Sequence, residues 1–282
     1  MSRTRIYGAV RFSIRVVILL SLLLLCWGLV RECYARWYLD GFLTAVVPLE
    51  GTPQQKVEAV LDWMRHFPGR RASEPPAPSD SYRDPVGDLS YAELLGNCGT
   101  SATVLLAAAD RLGIKARRLL LMDENYHNVH VATELLIDGR WVVADALYRT
   151  FLKDRRGRLL TKEELRIPQV FQEATSSIPG YDPAYKYGRV VHISAGSVPV
   201  LGGYLRRALD SLRPGWDDSP FLSQMASRSS LAQVVLSSLL LIFSLAARLF
   251  LNRYGAARLG ISHIRLRDRL LRALSGFFSL TA

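Results

Sequence analysis

Two uncharged apolar runs, one near each end of the chain, are the strongest feature of its hydrophobic pattern. The first covers 16–30 (VVILLSLLLLCWGLV), and the second covers 231–247 (LAQVVLSSLLLIFSLAA) and continues past an arginine to residue 251. The 15 residues of the first run reach about 22 Å as a helix, against a hydrocarbon layer of about 30 Å, but flanking arginine and aromatic side chains can extend the run. The pattern therefore predicts transmembrane helices at 16–30 and 231–251.

Two other interpretations of these runs compete with membrane spans. The length of the first run suits a cleavable signal peptide, but the residues after it are bulky and charged (RECYARWYLD) and contain no small-x-small cleavage site. The second run could be a buried core helix, although its leucine content, its lack of charge and its basic downstream flank favour a span. We therefore interpret the first run as an uncleaved signal anchor.

The net charge of +11 lies at the two ends of the chain. Residues 1–31 contain five arginines and no acidic residue, residues 248–282 contain seven arginines and one aspartate, and the stretch between them has 24 basic and 24 acidic residues. This distribution argues against a nucleic-acid partner, which would need a basic patch on the folded domain. By the positive-inside rule both ends are expected in the cytoplasm, with residues 32–229 outside it.

The organisation that follows has five parts. A basic N-terminus at 1–15 precedes the signal anchor, an extracytoplasmic domain at 32–229 has its core at 53–150, and a basic tail at 252–282 follows the second span. In the tail, arginines and large apolar residues fall on different helical faces, which predicts an amphipathic helix that lies on the membrane surface or binds a partner. The expected location is the inner (cytoplasmic) membrane, with the domain periplasmic or extracellular.

Inside the extracytoplasmic domain, several local signals stand out. Thr52-Pro53-Gln54-Gln55 predicts a helix start with a capping box. Residues 67–90 are rich in Pro, Ser and Arg and predict a long loop. Residues 178–187 (IPGYDPAYKY) are either an irregular connector or a platform for substrate. A strand is expected around Val190-Val191, followed by a His192 that is structural.

Cys98 opens an apolar helical run. Gly96-Asn97 before it is a turn and cap signal, and Gly113 after the run is a stop signal. The apolar residues between them recur at helical spacing: Ala102, Leu105, Leu106, Ala109 and Leu112. The thiol is therefore predicted in the first turn, where free N–H groups and the helix dipole favour a thiolate. The alternative is a buried cysteine that acts as a small hydrophobic residue.

A predicted hairpin supplies the base and the group that orients it. Residues 129–137 and 140–144 have strand character, and Asp138-Gly139 between them is a two-residue turn signal. If Ile137 pairs with Arg140, His130 and Asp145 lie on the same face of the sheet, diagonal to each other. His127 would face the other way and lies in a loop-like stretch, and a satisfied core histidine is the alternative role for His130. A register slip of one residue would reverse this argument.

Three segments in order resemble the transglutaminase-like superfamily, over about residues 53–150. Leu112-Gly113-Ile114-Lys115-Ala116-Arg117 is similar to the family's "GIPAR" segment after the cysteine helix. His130 to Leu135 resembles its "HAWVEV" strand, and Trp141 to Asp145 resembles its "W-V-x-x-D" strand. One departure is Ala132, where the family usually has tryptophan. The resemblance implies an α+β, papain-like core in which a cysteine helix packs on an antiparallel sheet.

The function expected from these residues is that of a membrane-anchored thiol enzyme of the bacterial type. Cys98 would attack a peptide or side-chain amide, His130 would transfer the proton, and Asp145 would hold the imidazole. The backbone N–H of Cys98 is one expected oxyanion donor, with Asn97 and Tyr91 as candidates for the second. Water as the acceptor would give a cysteine protease or amidase, and an amine would give a protein-glutamine acyltransferase.

The contrasting hypothesis is a non-catalytic module that keeps the fold and serves as a scaffold in a cell-envelope assembly. The expected partners are a peptide or protein amide substrate, membrane lipid and, for the scaffold, an envelope membrane protein. The sequence contains no Gly-rich phosphate loop and no clustered metal ligands, so no cofactor or metal is expected. Its three cysteines are too few for a disulfide framework.

Overall fold

The computed structural model describes residues 3–66, 83–125, 127–193 and 202–260. The chain divides into two compact units. One unit is Leu29–Ala232, and the other combines Met1–Gly28 with Gln233–Ala282. The helices are α1 (Arg3–Val46), α2 (Pro53–His66), α3 (Pro85–Ser90), α4 (Ala92–Leu95), α5 (Cys98–Arg111), α6 (Pro168–Thr175), α7 (Gly202–Leu212), α8 (Pro220–Ser227) and α9 (Ser229–Leu259). The strands are β1 (Ala116–Met122), β2 (Asn128–Ile137), β3 (Arg140–Asp145), β4 (Thr150–Phe151) and β5 (Val190–Val191).

The unit Leu29–Ala232 is built on an antiparallel sheet with the strand order β4-β3-β2-β1-β5. The expected mixed helix and antiparallel-sheet fold is therefore confirmed, as is the strand at Val190-Val191. β5 pairs with the outer edge of β1, so the chain returns to the sheet after the long segment 152–189. Helices cover one face of the sheet, and irregular chain covers much of the other.

The hairpin between β2 and β3 has the predicted register. Ile137 pairs with Arg140, and the pairing continues to Thr133 and Ala144. Both loop residues have positive φ, 50° at Asp138 and 77° at Gly139, as a tight hairpin turn of this twist requires. The two residues of the turn thus determine which side chains of β2 and β3 share a face.

The cysteine helix α5 begins and ends where the sequence predicts. Asn97 is the N-cap, and its side-chain oxygen accepts a hydrogen bond from the N–H of Gly99 at 2.9 Å. Gly113, just beyond the helix, has a φ of 71°, a value that glycine adopts without strain. The helix packs on one face of the sheet in a continuous apolar core. Its partners there include Leu135, Ile137, Val142 and Ala144.

The opposite face of the sheet carries a second core. Ala132 and Val143 of the sheet pack there against buried apolar side chains from the chain after β4. Those later residues include Leu160, Leu165, Ala174, Tyr181 and Tyr187. The segment that lacks clear periodicity in the sequence therefore forms a layer of the domain, because its apolar residues are presented by turns and one short helix.

Of two sequence predictions for the chain before α5, one is confirmed and the other is partly wrong. The capping box at the start of α2 is confirmed: Thr52 N–H donates to Gln55 Oε1 at 2.9 Å, and Gln55 N–H donates to Thr52 Oγ1 at 3.2 Å. The expectation of a loop throughout 67–90 is wrong at its end, since Pro85–Ser90 is helical. Asp84 caps that helix, and a proline at its first position has the right φ for a helix start. Residues 67–82 lie outside the described residues.

In the other unit, segments of α1 and α9 pack closely. A Cβ atom added at Gly28 would lie 3.1 Å from Val234 Cγ2, and Gln233 Nε2 donates to the carbonyl of Leu24 at 3.0 Å. Most large apolar side chains of these segments are exposed. Both helices are long and apolar enough to cross a membrane, by length and composition. The expected amphipathic helix of the tail falls mostly on residues 261–282, outside the described residues.

A buried arginine joins three helices of the unit Leu29–Ala232. Arg228 is fully buried and contacts Glu32 of α1, and it donates to Asp110 of α5 at 2.8 Å. Ser230 donates to the second oxygen of Glu32 at 2.9 Å. Because Glu32 is itself buried, it depends on these donors, and on Arg36 at 2.7 Å, for the solvation that water would otherwise provide.

We expect the Arg228→Met substitution to lower the free energy of unfolding by about 3 kcal/mol, since it leaves the buried Glu32 carboxylate with only Ser230 and the partly exposed Arg36 as donors. Adding Glu32→Gln should recover part of the loss, because the buried charge is then removed. Chemical unfolding in detergent micelles measures both. The control is Arg155→Met, whose side chain is 83% exposed in its ion pair with Glu173 and should contribute little. An Arg228→Met protein as stable as the Arg155→Met protein would contradict this account.

Candidate active site

Cys98 is the first residue of α5, as the sequence predicts. Its side chain is partly buried, and it packs against a small apolar cluster that includes Val131 of β2. At the first position of a helix the backbone N–H has no partner within the helix. No other acceptor for the Cys98 N–H occurs among the described residues. The thiol and a free N–H donor therefore project from the same end of the helix.

His130 and Asp145 form a buried hydrogen-bonded pair. His130 Nε2 lies 2.7 Å from Asp145 Oδ2, and both side chains are fully buried. His130 lies opposite Leu121 on β1, next to the shift in register between Leu121 and Met122. The prediction that the hairpin brings these two side chains together on one face is confirmed. Since Nε2 is held by the carboxylate, Nδ1 is the ring nitrogen left to face a second partner.

Cys98 and His130 change each other's protonation. Burial lowers the pKa of His130, but hydrogen bonds with Asp145 and Cys98, together with their charges, raise it to about 9. Burial raises the pKa of Cys98, but a hydrogen bond with His130, the charge of the imidazolium and the N–H of Val131 together bring it below its usual range. These opposite shifts favour a thiolate beside an imidazolium.

The contact between the Cys98 thiol and the His130 imidazole nevertheless does not have the distance and angle of a regular hydrogen bond. His130 Nδ1 has no hydrogen-bond partner of regular distance and angle among the described residues. A buried ring nitrogen without a regular partner can bond to an incoming group, and such contacts often tighten only when substrate binds. Nδ1 is therefore placed to exchange a proton with the thiol or with a ligand.

Asp145 accepts hydrogen bonds at both of its oxygens. Oδ1 receives the backbone N–H groups of Leu147 and Tyr148, at 3.1 and 3.4 Å. Oδ2 receives the hydroxyl of Tyr181 at 3.1 Å in addition to His130. The carboxylate is thus held from the turn after β3 and from a distant part of the chain.

Tyrosines that the sequence analysis did not assign to the site surround this pair. The ring of Tyr185 stacks on the imidazole of His130, with centroids 4.1 Å apart and planes at 11°. The ring of Tyr148 lies 6.2 Å from the imidazole, and Tyr187 contacts the Tyr181 hydroxyl at 3.2 Å. The sequence contained one signal for these residues, the three tyrosines within 178–187. That signal was compatible with a substrate platform and with an irregular connector.

The other residues considered for the site lie in different settings. His127 is exposed and pairs with Asp123 at 3.3 Å. His192 is buried, with Nδ1 2.8 Å from the carbonyl of Arg118 and Nε2 3.0 Å from Asp218. The side-chain oxygen of Asn97 is occupied as the helix cap. Within the described ranges, no group of three or more His, Cys, Asp or Glu side chains is arranged to hold a metal ion.

A cavity of about 670 Å³ borders Tyr185. The segment after β1 and the segment 182–189 form its walls, and apolar side chains such as Met122 and Val129 contribute with charged ones. Its charged residues are Asp123, Glu124, Asp182, Lys186 and Arg189. Cys98 and His130 do not line this cavity, and its link to them is Tyr185, whose ring also stacks on the imidazole.

Comparison with known proteins agrees with the geometry. The sequence profile of the transglutaminase-like superfamily matches residues 42–146. No curated protein and no solved structure matches the chain. The matched region contains Cys98, His130 and Asp145, whereas Tyr181, Tyr185 and Tyr187 lie beyond it. Residues 42–146 are a domain of the transglutaminase-like superfamily.

Proposed function

We propose that the chain is a membrane-anchored thiol enzyme that acts on peptide or side-chain amide bonds through an acyl-enzyme. The observation that carries this proposal is the buried 2.7 Å contact between His130 and Asp145, which leaves Nδ1 for Cys98 at the start of a helix. A Cys–His–Asp set needs each of these features: a stabilised thiolate, a proton carrier and a group that orients the carrier. A scaffold would need none of the three side chains.

In the first half of the reaction, the Cys98 thiolate attacks the carbonyl carbon of the amide. The carbonyl electrons move to oxygen, and the free N–H of Cys98 is one donor for the oxyanion that forms. His130 then gives the proton on Nδ1 to the amide nitrogen, the C–N bond breaks, and the amine leaves. A thioester on Cys98 and a neutral imidazole remain.

In the second half, the acceptor attacks the thioester. The neutral His130 takes a proton from water or from an amine, and the new bond to carbon replaces the bond to sulfur. Water yields a carboxylic acid, as in a protease or amidase, and an amine yields a new amide, as in a protein-glutamine acyltransferase. The thiolate–imidazolium pair is restored in both cases. The choice between acceptors depends on which of them reaches the thioester when the amine has left.

We place the substrate outside the cytoplasm. The arginines before the first apolar run and after the second favour a topology with both ends in the cytoplasm. The two helices that are apolar enough to cross a membrane flank the domain in sequence, which supports a tether at each end. The peptide or protein substrate would then be a component of the cell envelope or of the extracellular space, and an envelope membrane protein could share the assembly.

We expect Cys98 to be labelled selectively at neutral pH by a peptide acyloxymethyl ketone, which places an electrophilic carbon where the amide carbonyl would bind. Cys33 is more exposed, but it should react at least about tenfold more slowly, since no base is aimed at it. Cys26 lies inside the proposed membrane span and should react slowly as well. Mass spectrometry of the labelled peptides measures all three rates. Cys98→Ser should abolish the label at this site and any turnover without unfolding the protein.

The same labelling separates an enzyme from a binding module. Unfolded protein is the control for intrinsic thiol reactivity, because it contains the same three cysteines without the site. A Cys98 that reacts no faster in the folded protein than in the unfolded one would contradict the enzyme proposal. The chain would then be better described as a scaffold.

We expect alkylation of Cys98 by iodoacetate to have a bell-shaped pH profile. The rate rises as the thiolate forms, below the usual pKa of a cysteine, and it declines near pH 9 as His130 loses the proton whose charge attracts the anionic reagent. Asp145→Asn should move the alkaline limb to lower pH, because Asp145 raises the pKa of His130. It should impair turnover less than Cys98→Ser does, since it disturbs orientation and leaves the nucleophile. An alkaline limb that does not move in Asp145→Asn would remove Asp145 from the triad.

We expect two spans with both ends in the cytoplasm. A reporter that is active only outside the cytoplasm should work when it is fused after residue 228 and should fail when it is fused at residue 1 or 282. The reverse pattern would overturn both the topology and the proposed location of the substrate.

A further inference from the structure

Two buried tyrosines are hydrogen-bonded to the Asp145 side of the candidate triad. They lie in a part of the chain that the family profile does not cover. The Tyr181 hydroxyl lies 3.1 Å from Asp145 Oδ2, the same oxygen that His130 Nε2 contacts at 2.7 Å. The hydroxyls of Tyr181 and Tyr187 lie 3.2 Å apart. The four side chains therefore form an unbroken line of hydrogen bonds.

The direction of each hydrogen bond in this line is fixed by chemistry. A carboxylate can only accept, so Tyr181 gives its single proton to Asp145. The proton between the two tyrosines must then come from Tyr187, because Tyr181 has none left to donate. His130 donates from the other side through Nε2. The order is Tyr187 to Tyr181 to Asp145, with His130 converging on the same carboxylate oxygen.

Burial makes these hydrogen bonds hard to replace by water. Tyr187 is 1% exposed and Tyr181 is 9% exposed, while Asp145 and His130 have no exposed surface. Burial, together with Tyr187 and the charge of Asp145, raises the pKa of Tyr181 above its usual range. The hydroxyl of Tyr181 thus stays protonated at neutral pH and remains a donor.

We propose that Tyr181 is a positioning residue of the triad, held by Tyr187, that fixes Asp145 Oδ2 opposite His130 Nε2. This inference rests on the proposed function, because it gives Tyr181 a role in the same reaction. Two main-chain N–H groups already hold Oδ1 of Asp145. The Tyr181 hydroxyl supplies the second point of attachment, at Oδ2, and so prevents rotation of the carboxylate away from the imidazole.

Loss of this attachment has a definite chemical consequence. With Oδ2 free to turn, Asp145 stabilises the imidazolium less, and the imidazolium in turn stabilises the Cys98 thiolate less. The interval of pH in which thiolate and imidazolium coexist should narrow from both sides. Among the described residues, Arg149 interacts electrostatically with Asp145, Glu134 with Tyr187 and Tyr185 with Cys98, and the ring of Tyr148 lies near the imidazole. The variants below leave all of them in place.

The experiment measures the pH profile of Cys98 alkylation by iodoacetate in the full-length protein. Tyr181→Phe removes one hydroxyl and keeps the ring that packs in the second core. We expect it to slow alkylation at neutral pH by about tenfold, in line with the loss of a hydrogen bond to a charged group. The pH range over which alkylation is fast should also become narrower. Tyr187→Phe should have a smaller effect, about two- to threefold, because it acts through Tyr181.

The double variant distinguishes a line of hydrogen bonds from two independent contacts. If Tyr187 acts only through Tyr181, the double variant should match Tyr181→Phe alone. Tyr204→Phe is the matched control, since its ring is 70% exposed and its profile should equal that of the unmodified protein. Circular dichroism and thermal unfolding establish that each variant is folded.

Several outcomes would overturn the proposal. A Tyr181→Phe profile that coincides with that of Tyr204→Phe, or that widens, would mean that Tyr181 does not position Asp145. If Tyr181→Phe does not fold, Tyr187→Phe decides: a narrowed profile supports the proposal, and an unchanged one overturns it. Failure of the proposed function itself looks different, because Cys98 of the unmodified protein would then have neither fast alkylation nor a bell-shaped profile.

Discussion

The buried hydrogen bond between His130 and Asp145 is the interaction on which the candidate site depends. Neither side chain has exposed surface, so each would pay a large desolvation cost as an ion without the other. The pair also decides which ring nitrogen is free, and therefore which atom faces the thiol. The remaining contacts of Asp145 are all donors, two from the turn after β3 and one from Tyr181. Together they solvate the carboxylate in place of water and hold it in one orientation.

Three layers of the domain meet at this pair, and each contributes one kind of group. The helical layer contributes Cys98 and a free N–H at the start of α5. The sheet contributes His130 and Asp145 from neighbouring strands. The third layer, built from the chain after β4, covers the pair with Tyr181 and Tyr185 and borders the cavity. The superfamily domain at 42–146 therefore holds Cys98, His130 and Asp145, while the tyrosines around them at 181–187 lie beyond it.

The polar groups buried elsewhere in the domain follow the same physical rule. Arg228 and Glu32 are buried together, with hydroxyl and carboxylate partners around them. His192 is buried with its Nδ1 directed at a main-chain carbonyl, and burial with nearby Arg117 and Lys162 lowers its pKa to about 4, so it is neutral at physiological pH. Burial opposes the charged form of both histidines. At His130 the hydrogen bonds and charges of Asp145 and Cys98 outweigh burial, whereas at His192 the two cations add to it and outweigh the nearby Asp218 carboxylate.

The sequence by itself determined the features that depend on short-range rules. Asn97 and Gly113 bounded α5, Asp138-Gly139 set the register of the hairpin, and that register placed His130 and Asp145 on one face. Local patterns also identified two apolar helices and the capping box at Thr52. The sequence did not reveal the helix at Pro85–Ser90, because proline and serine are common both in loops and at helix starts. Only the tertiary structure decided that Tyr181 contacts Asp145, 36 residues away along the chain, and that Tyr185 stacks on His130. Neither contact follows from a periodicity or a turn rule, since both depend on how an irregular segment folds back over the sheet to bury its aromatic rings.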